Sequence, residues 1–325
     1  VSNARALVDA WQITSEDWLL HALPIFHIHG LFVACNSLLM AGGSMLFLSR
    51  FDAAQMLQLL PQVNLLMGVP TFYTRLLDQP GLTREAVAHM RLFISGSAPL
   101  TAETHKAFSE RTGMAILERY GMTETGMNTS NPLDGERIAG TVGFPLPGVE
   151  LRITDPARAE PTLLPQGEPG MIEVRGPNVF QGYWRMPEKT AEELRADGYF
   201  MTGDIGFVDE RGYVQIVGRN KDMIISGGFN VYPKELEEIL DTLPGVAESA
   251  VIGVPHPDFG EGVTAVLVAG KGQAPSEAQV LAALDGRLAR FKQPKRVLVV
   301  DALPRNVMGK VQKNVLREQF KALYT

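Results

Sequence analysis

The sequence predicts a layered α/β domain, then a small β-barrel-like subdomain, then a compact mixed α+β domain at the C-terminus. Three observations carry this. Apolar strand runs alternate with helices from Trp18 to Glu118, the pattern of a sheet covered by helices. From about Val142, short strands dominate, separated by glycines and prolines, which suits a small all-β barrel. After Lys221 helices return among further apolar strands, and about 100 residues are enough for a compact unit with its own core. The expected domains are therefore 1–220, with 142–220 as its β-rich part, and 221–325.

Each element follows from local pattern. A polar helix is predicted over Asn3–Trp11. Trp18–Pro24 reads as a strand that runs into Phe26-His27-Ile28-His29-Gly30, and a helix and the strand Met45–Leu48 follow. The uncharged span Gly30–Leu48 approaches membrane length, but Asn36, Ser37, Ser44 and the Gly42–Gly43 breaker divide it, so no membrane span is expected. Phe51–Leu60 is a helix, Asn64–Val69 a strand, and Thr71–Leu77 a helix opened by Pro70. The strand Leu92–Ser95 ends in Gly96-Ser97-Ala98-Pro99; a hydroxyl at Thr101 caps a helix that continues to Arg111, and Ala115–Glu118 is a strand. The β-rich part holds Glu150–Thr154, Gly170–Gly176, Gly206–Asp209 and Tyr213–Val217. Beyond it an amphipathic helix opens at Tyr232–Pro233. Strands are predicted at Val246–Val254, Val263–Val268 and Arg296–Val300, and helices at Ser276–Arg290 and Val311–Leu323.

Charge and cysteine content exclude several classes. The 36 acidic and 30 basic residues are mixed along the chain, which leaves no footprint for nucleic acid. The single Cys35 excludes an internal disulfide and a cysteine metal cluster. No signal peptide opens at Val1, which is not a methionine. A cytoplasmic protein is expected, with any targeting signal left to a missing front part.

In layered α/β domains ligands sit at the carboxyl ends of strands. The clusters His27–Gly30, Gly96–Pro99 and Tyr120–Thr125 all fall there. Glu124 beside the Thr123 hydroxyl is suitable for a hard cation that keeps its waters, although a strand end followed by a hydroxyl-rich turn reads the same way. Asp204 in Thr202-Gly203-Asp204 is by itself a turn aspartate, and Lys310 after Gly309 is by itself a surface lysine.

Together and in this order, these motifs resemble those of the adenylate-forming family: acyl-CoA synthetases, luciferases and peptide-synthetase adenylation domains. The resemblance rests on Gly96-Ser97-Ala98-Pro99, Tyr120-Gly121-Met122-Thr123-Glu124-Thr125, Thr202-Gly203-Asp204, Gly218-Arg219 with Lys221 after it, and Pro304-Arg305-Asn306-Val307-Met308-Gly309-Lys310, and it extends over essentially the whole chain. It implies an adenylation domain remnant followed by a lid domain, with ATP, Mg²⁺ and coenzyme A as partners in the reaction. Gly96–Pro99 would wall the adenine and the acyl group. Tyr120 would stack on adenine, with Gly121 and Ile216 among the nucleotide-binding residues. Thr123 would bond the α-phosphate and Glu124 the cation. Asp204 and Arg219 would hold the ribose. Lys221 would be the pivot of the lid, Ser226, Gly227 and Gly228 would enter the active site in one lid orientation, and Lys310 would be the catalytic lysine. His27 would gate the acceptor tunnel, with His29 beside it. The family's Ser/Thr/Gly-rich phosphate loop has no match before Trp18, so the chain is expected to be the back part of a longer enzyme and inactive alone.

The acid is read from Arg119. Relatives that act on neutral acids commonly have glycine just before the Tyr-Gly pair. Glu118-Arg119-Tyr120-Gly121, with Met127 following, resembles the malonyl-CoA synthetase branch, and an arginine can hold a second carboxylate in a bidentate pair. Arg119 could instead pair with Glu118 and only support the fold. Another short or medium acid, or a carrier-protein-loading domain, are the alternative functions. Basic residues in Arg290–Arg296 could meet CoA phosphates or be a solvated helix end.

Overall fold

The computed structural model describes residues 1–270, 275–306 and 309–324. Val307 and Met308 of the terminal lysine loop lie outside the described residues. Contacts divide the chain into two units, Val1–Thr202 with Gly206–Ile216, and Gly203–Ile205 with Val217–Thr325.

The first unit is built on a seven-stranded sheet: β1 (Trp18–His21), β2 (Ser44–Phe47), β3 (Leu65–Gly68), β4 (Leu92–Ser95), β5 (Leu117–Met122), β6 (Gly126–Ser130) and β7 (Phe144–Pro145), ordered 2-1-3-4-5-6-7. The pairs from β2 to β5 are parallel and those through β6 and β7 antiparallel. Strands β3 and β4 are buried at every residue, as central parallel strands covered on both faces must be. The covering helices are α1 (Ser2–Trp11), α2 (Asn36–Ala41), α3 (Ala53–Leu59), α4 (Pro70–Leu77) and α5 (Ala102–Thr112). Leu7, Trp11, Leu19, Leu20, Phe93 and Phe108 are fully buried in one cluster. Truncating such a side chain to alanine costs about 2–5 kcal/mol.

The amino ends of these strands are clamped by one buried carboxylate. Asp17 accepts from Arg91 Nε at 3.0 Å and Nη2 at 2.8 Å and from the Asn64 amide at 3.0 Å, while Arg91 Nη1 donates to the Trp11 carbonyl at 2.9 Å. The helix expected after Gly30 begins as a π-helical stretch, His29–Cys35; such wide turns recur at functional sites.

A second sheet, ordered β11-β10-β9-β8, contains β8 (Glu150–Thr154), β9 (Gly170–Arg175), β10 (Phe200–Val208) and β11 (Val214–Arg219), with α6 (Pro187–Glu193) between β9 and β10. Thr202-Gly203-Asp204 is not a turn, as its glycine suggests, but lies inside the nine-residue β10. The fully buried Glu173 carboxylate pairs with Arg152 at 2.8 Å and Arg195 at 2.7 Å and accepts from the Thr154 hydroxyl at 2.9 Å. These contacts satisfy a carboxylate that would be costly to bury alone.

The second unit has its own sheet, β13-β12-β15-β14 with β16 on β15: β12 (Ile224–Ser226), β13 (Phe229–Val231), β14 (Val246–His256), β15 (Gly260–Ala269) and β16 (Arg296–Val300). Its helices are α7 (Pro233–Leu240), α8 (Glu277–Leu284) and α9 (Lys313–Phe320). The expected long helix Ser276–Arg290 is cut short: Ser276 and Gln279 form a capping box at its start, and Asp285 turns extended before Gly286 at φ +73°. No described helix is long and apolar enough to cross a membrane.

Candidate active site

The strand order 2-1-3-4-5 has its switch point between β1 and β3, and beyond the carboxyl ends there the chain places His29, Gly96, Ser97 and Arg119. Arg119 follows the last β4–β5 parallel rung, Ser95 with Glu118. Its guanidinium lies against Gly96, where a Cβ would meet Cζ at 2.4 Å and Nη1 at 2.5 Å. So only glycine leaves that volume to the arginine. Arg119 is buried, and its Nε and Nη2 have no hydrogen-bond partner among the described residues. Burial pushes its pKa down to about 9, with Tyr73 opposing the shift. Consecutive strand residues face opposite ways, and the Glu118 carboxylate accepts from the Gly140 amide at 3.4 Å.

His29 lies beside this guanidinium. Its Nδ1 is 3.2 Å from Ser97 Oγ, and its Nε2 is buried without a hydrogen-bond partner among the described residues. Burial first, then the charge of Arg119, hold the ring well below the usual histidine range, so it is neutral at pH 7. Ser97 sits at φ +71°, a left-handed backbone that an L-residue takes at a cost. His27, half-buried, accepts from the His29 amide at 3.2 Å through Nδ1. Two residues here carried no sequence signal. His21 is held at both ring nitrogens, by the Gly30 carbonyl at 3.1 Å and the Leu23 amide at 3.1 Å. The buried Tyr73 donates to the Ile94 carbonyl at 2.5 Å.

Tyr120 to Thr125 is a strand end and a hairpin. The β5–β6 register shifts between Tyr120 and Gly121, and such bulges re-aim side chains beside sites. Gly121 is obligatory, because a Cβ there would lie 2.2 Å from the Gly126 carbonyl. Tyr120 packs on Ile172, Val174, Phe200 and Val214, with Ile216 at the edge of the same cluster. Met127 is fully buried in the core of the first sheet. Its amide and carbonyl are both held by the Asn3 side chain, at 2.9 and 2.8 Å. Thr123 is exposed, whereas Glu124 is half-buried with Oε1 3.1 Å from the Tyr183 hydroxyl. No group of three or more His, Cys, Asp or Glu that could cage a metal occurs among the described residues. One half-buried carboxylate beside an exposed hydroxyl fits instead a Mg²⁺ held mainly by phosphates and water.

In the second unit the two expected ribose residues meet directly. The Asp204 carboxylate, nearly buried, accepts from Arg219 Nε at 3.0 Å. Lys221 is exposed in the single 3₁₀ turn Asn220–Asp222, and Asp222 pairs with Arg317 at 2.7 Å. Ser226 is buried at the end of β12, and Gly227 and Gly228, at φ +60° and +84°, turn the chain into β13. Two positive φ angles in a two-residue loop are what a type I′ hairpin demands. Lys310 is exposed; its amide donates to Asn306 Oδ1 at 3.0 Å and its carbonyl accepts from the Asn306 amide at 3.0 Å. Arg305 binds the Gly309 carbonyl at 2.5 Å and pairs with Glu248, which fixes the root of this loop.

The chain belongs to the AMP-binding enzyme family. The family profile matches residues 1–184, and that of the AMP-binding enzyme C-terminal domain matches 235–310. The chain is 38% identical to a malonate–CoA ligase of Arabidopsis thaliana over 98% of its own length and 57% of that protein's. It is 40% identical to a feruloyl-CoA synthase of Amycolatopsis, covering 95% of this chain and 62% of that one. Among solved structures, ATP-bound MatB from Rhodopseudomonas palustris is 64% identical, with a TM-score of 0.97 over 100% of this chain and 64% of that chain. The chain thus spans less than two thirds of these relatives.

Proposed function

We propose that the protein carrying this chain is an ATP-dependent acid–CoA ligase that activates malonate. Malonate and ATP give malonyl-adenylate and pyrophosphate; the CoA thiol then attacks the acyl carbon and AMP leaves. The observation that carries the choice of acid is Arg119, whose buried Nε and Nη2 have no partner among the described residues. Such donors call for an anion, and the distal carboxylate of malonate supplies one. Ferulate, despite the 40% identity of its synthase, would leave them unpaired. His29, neutral, adds a third polar atom, Nε2, without a hydrogen-bond partner among the described residues. The likeness to malonate–CoA ligases and to MatB supports the same reading.

In this reading Tyr120, Gly121, Ile216 and the backbone of Gly96–Pro99 bind the nucleotide, and Asp204 and Arg219 take its ribose hydroxyls. Thr123 bonds the α-phosphate and Glu124 takes Mg²⁺, which would offset phosphate charge. Lys310 is the cation that offsets charge as one anion attacks another. Lys221 is the pivot, Ser226–Gly228 serve the thioester step, and His27 guards the acceptor path. The test is pyrophosphate release by the full-length protein across malonate, acetate, butyrate and ferulate. Malonate should be preferred over butyrate by at least 100-fold in kcat/KM, an energy of about 3 kcal/mol. Equal rates on malonate and butyrate would reject it.

A further inference from the structure

The segment after β9 is shaped around one hydroxyl. Gly182 is at φ +140°, and a Cβ there would meet Thr190 Cγ2 at 2.7 Å. Thr190 Oγ1 accepts from the Tyr183 amide at 2.9 Å and donates to the Met186 carbonyl at 2.9 Å, so the loop closes back on α6. Arg185 takes φ +55° to complete it. The Tyr183 ring stands edge-on to Phe180 at 4.8 Å. Phe180 in turn donates its amide to the Glu124 carbonyl at 2.8 Å, and Asn178 holds the Thr125 carbonyl at 2.7 Å. The loop is therefore clipped to the turn that carries Glu124 by one main-chain bond and one from a side-chain amide.

The Tyr183 hydroxyl lies 2.6 Å from Glu193 Oε2 and 3.1 Å from Glu124 Oε1. It has one proton for two carboxylates. Glu193 is neutralised on its other oxygen by Lys189 at 2.6 Å, and Glu124 has no ion pair among the described residues. The row reads ammonium, carboxylate, phenol, carboxylate. We propose that Tyr183 is a positioning residue for Glu124: anchored through Glu193 and Lys189, its hydroxyl fixes the Glu124 carboxylate for a divalent cation that accompanies the nucleotide. This rests on the reading of Glu124 given above.

The test is Mn²⁺ binding to the full-length enzyme with ATP, followed by electron paramagnetic resonance, beside the Mg²⁺ dependence of pyrophosphate release. Tyr183→Phe keeps the ring on Phe180 and removes only the hydroxyl. It should weaken Mn²⁺ binding about 10- to 150-fold, the loss of one hydrogen bond to a charged group, and raise the half-saturating Mg²⁺ by a similar factor. The rate at saturating Mg²⁺ should stay within about 2-fold, because cation excess offsets a positioning defect. Glu193→Gln, which keeps the hydroxyl but loosens its anchor, should shift both constants in the same direction by less. Unchanged Mn²⁺ affinity with a lowered Tm in both variants would make the hydroxyl a structural bond and overturn the proposal. Glu124→Gln separates the two readings: if it leaves Mn²⁺ affinity unchanged, the cation role of Glu124 itself is wrong. If it abolishes binding while Tyr183→Phe does nothing, only the positioning role fails.

Discussion

A buried guanidinium with two unsatisfied nitrogens costs several kcal/mol unless an anion meets it, and Arg119 is such a group. Arg119→Ala should therefore remove about 2–4 kcal/mol of transition-state binding, roughly 30- to 1000-fold in kcat/KM for malonate, and affect butyrate little. Equal losses on both acids, with a lower Tm, would mean that the arginine only supports the fold. Lys310→Ala should abolish adenylate formation but spare thioester formation from supplied malonyl-adenylate; equal loss of both half-reactions would contradict its role. Arg119 stands out in the sequence through the Glu118-Arg119-Tyr120-Gly121 motif at the end of an apolar strand. What sits around it does not. Tyr73 lies in a helix and His21 in a strand, where an aromatic reads as core. Tyr183 follows no motif of its own, and its partner Glu124 is 59 residues away.

Among the elements, those with an apolar period were read well. Leu92–Ser95, Glu150–Thr154 and Arg296–Val300 form as expected, residue for residue. Those defined by distant polar contacts were not. Strand β6, Gly-Met-Asn-Thr-Ser, has no alternation of its own and takes its place through Asn3 and the bulge. Helix α6 is polar on every side and has no fully buried residue. The Ser226–Gly228 segment forms the hairpin turn between β12 and β13. Alanine at Gly228 should cost about 1–2 kcal/mol from the left-handed backbone alone, seen as a lower urea midpoint. Lys221→Pro, within the 3₁₀ turn, should leave adenylation intact and slow the CoA step. Wild-type rates in both steps would place the hinge elsewhere.

For the molecule as a whole, the two units answer pH oppositely. In the first, burial holds His21, His29 and His105 below the usual histidine value. The unfolded chain then binds more protons below about pH 6.5, so stability falls as pH drops through that range. In the second, burial raises Asp241 to about 6, against the Ser249 hydroxyl bond that lowers it, with Glu237 adding to the rise. Its folded form keeps a proton that the unfolded chain has released, so stability is lost as pH rises from about 4 through about 6. Asp241→Asn should raise Tm at pH 8 by clearly more than at pH 4.5, as scanning calorimetry would read. An equal shift at both values would show that Asp241 does not titrate in this way.

Gly96 and Arg119 share one volume, and this sets the order in which the pocket can change during descent. A lineage that gains a side chain at 96 while the arginine is present must push the guanidinium out of place, so Gly96→Ala alone should cost malonate activity at once. The reverse order is open: Arg119→Gly first empties the space, and Gly96→Ala then fills part of it at little further loss. The two positions are thus epistatic, with a ratchet. Once 96 is filled, restoring the arginine alone cannot restore its use, and a double-mutant cycle on malonate kinetics should give a coupling energy of at least about 1 kcal/mol. Additive effects would mean that the backbone moves aside and the lock does not exist.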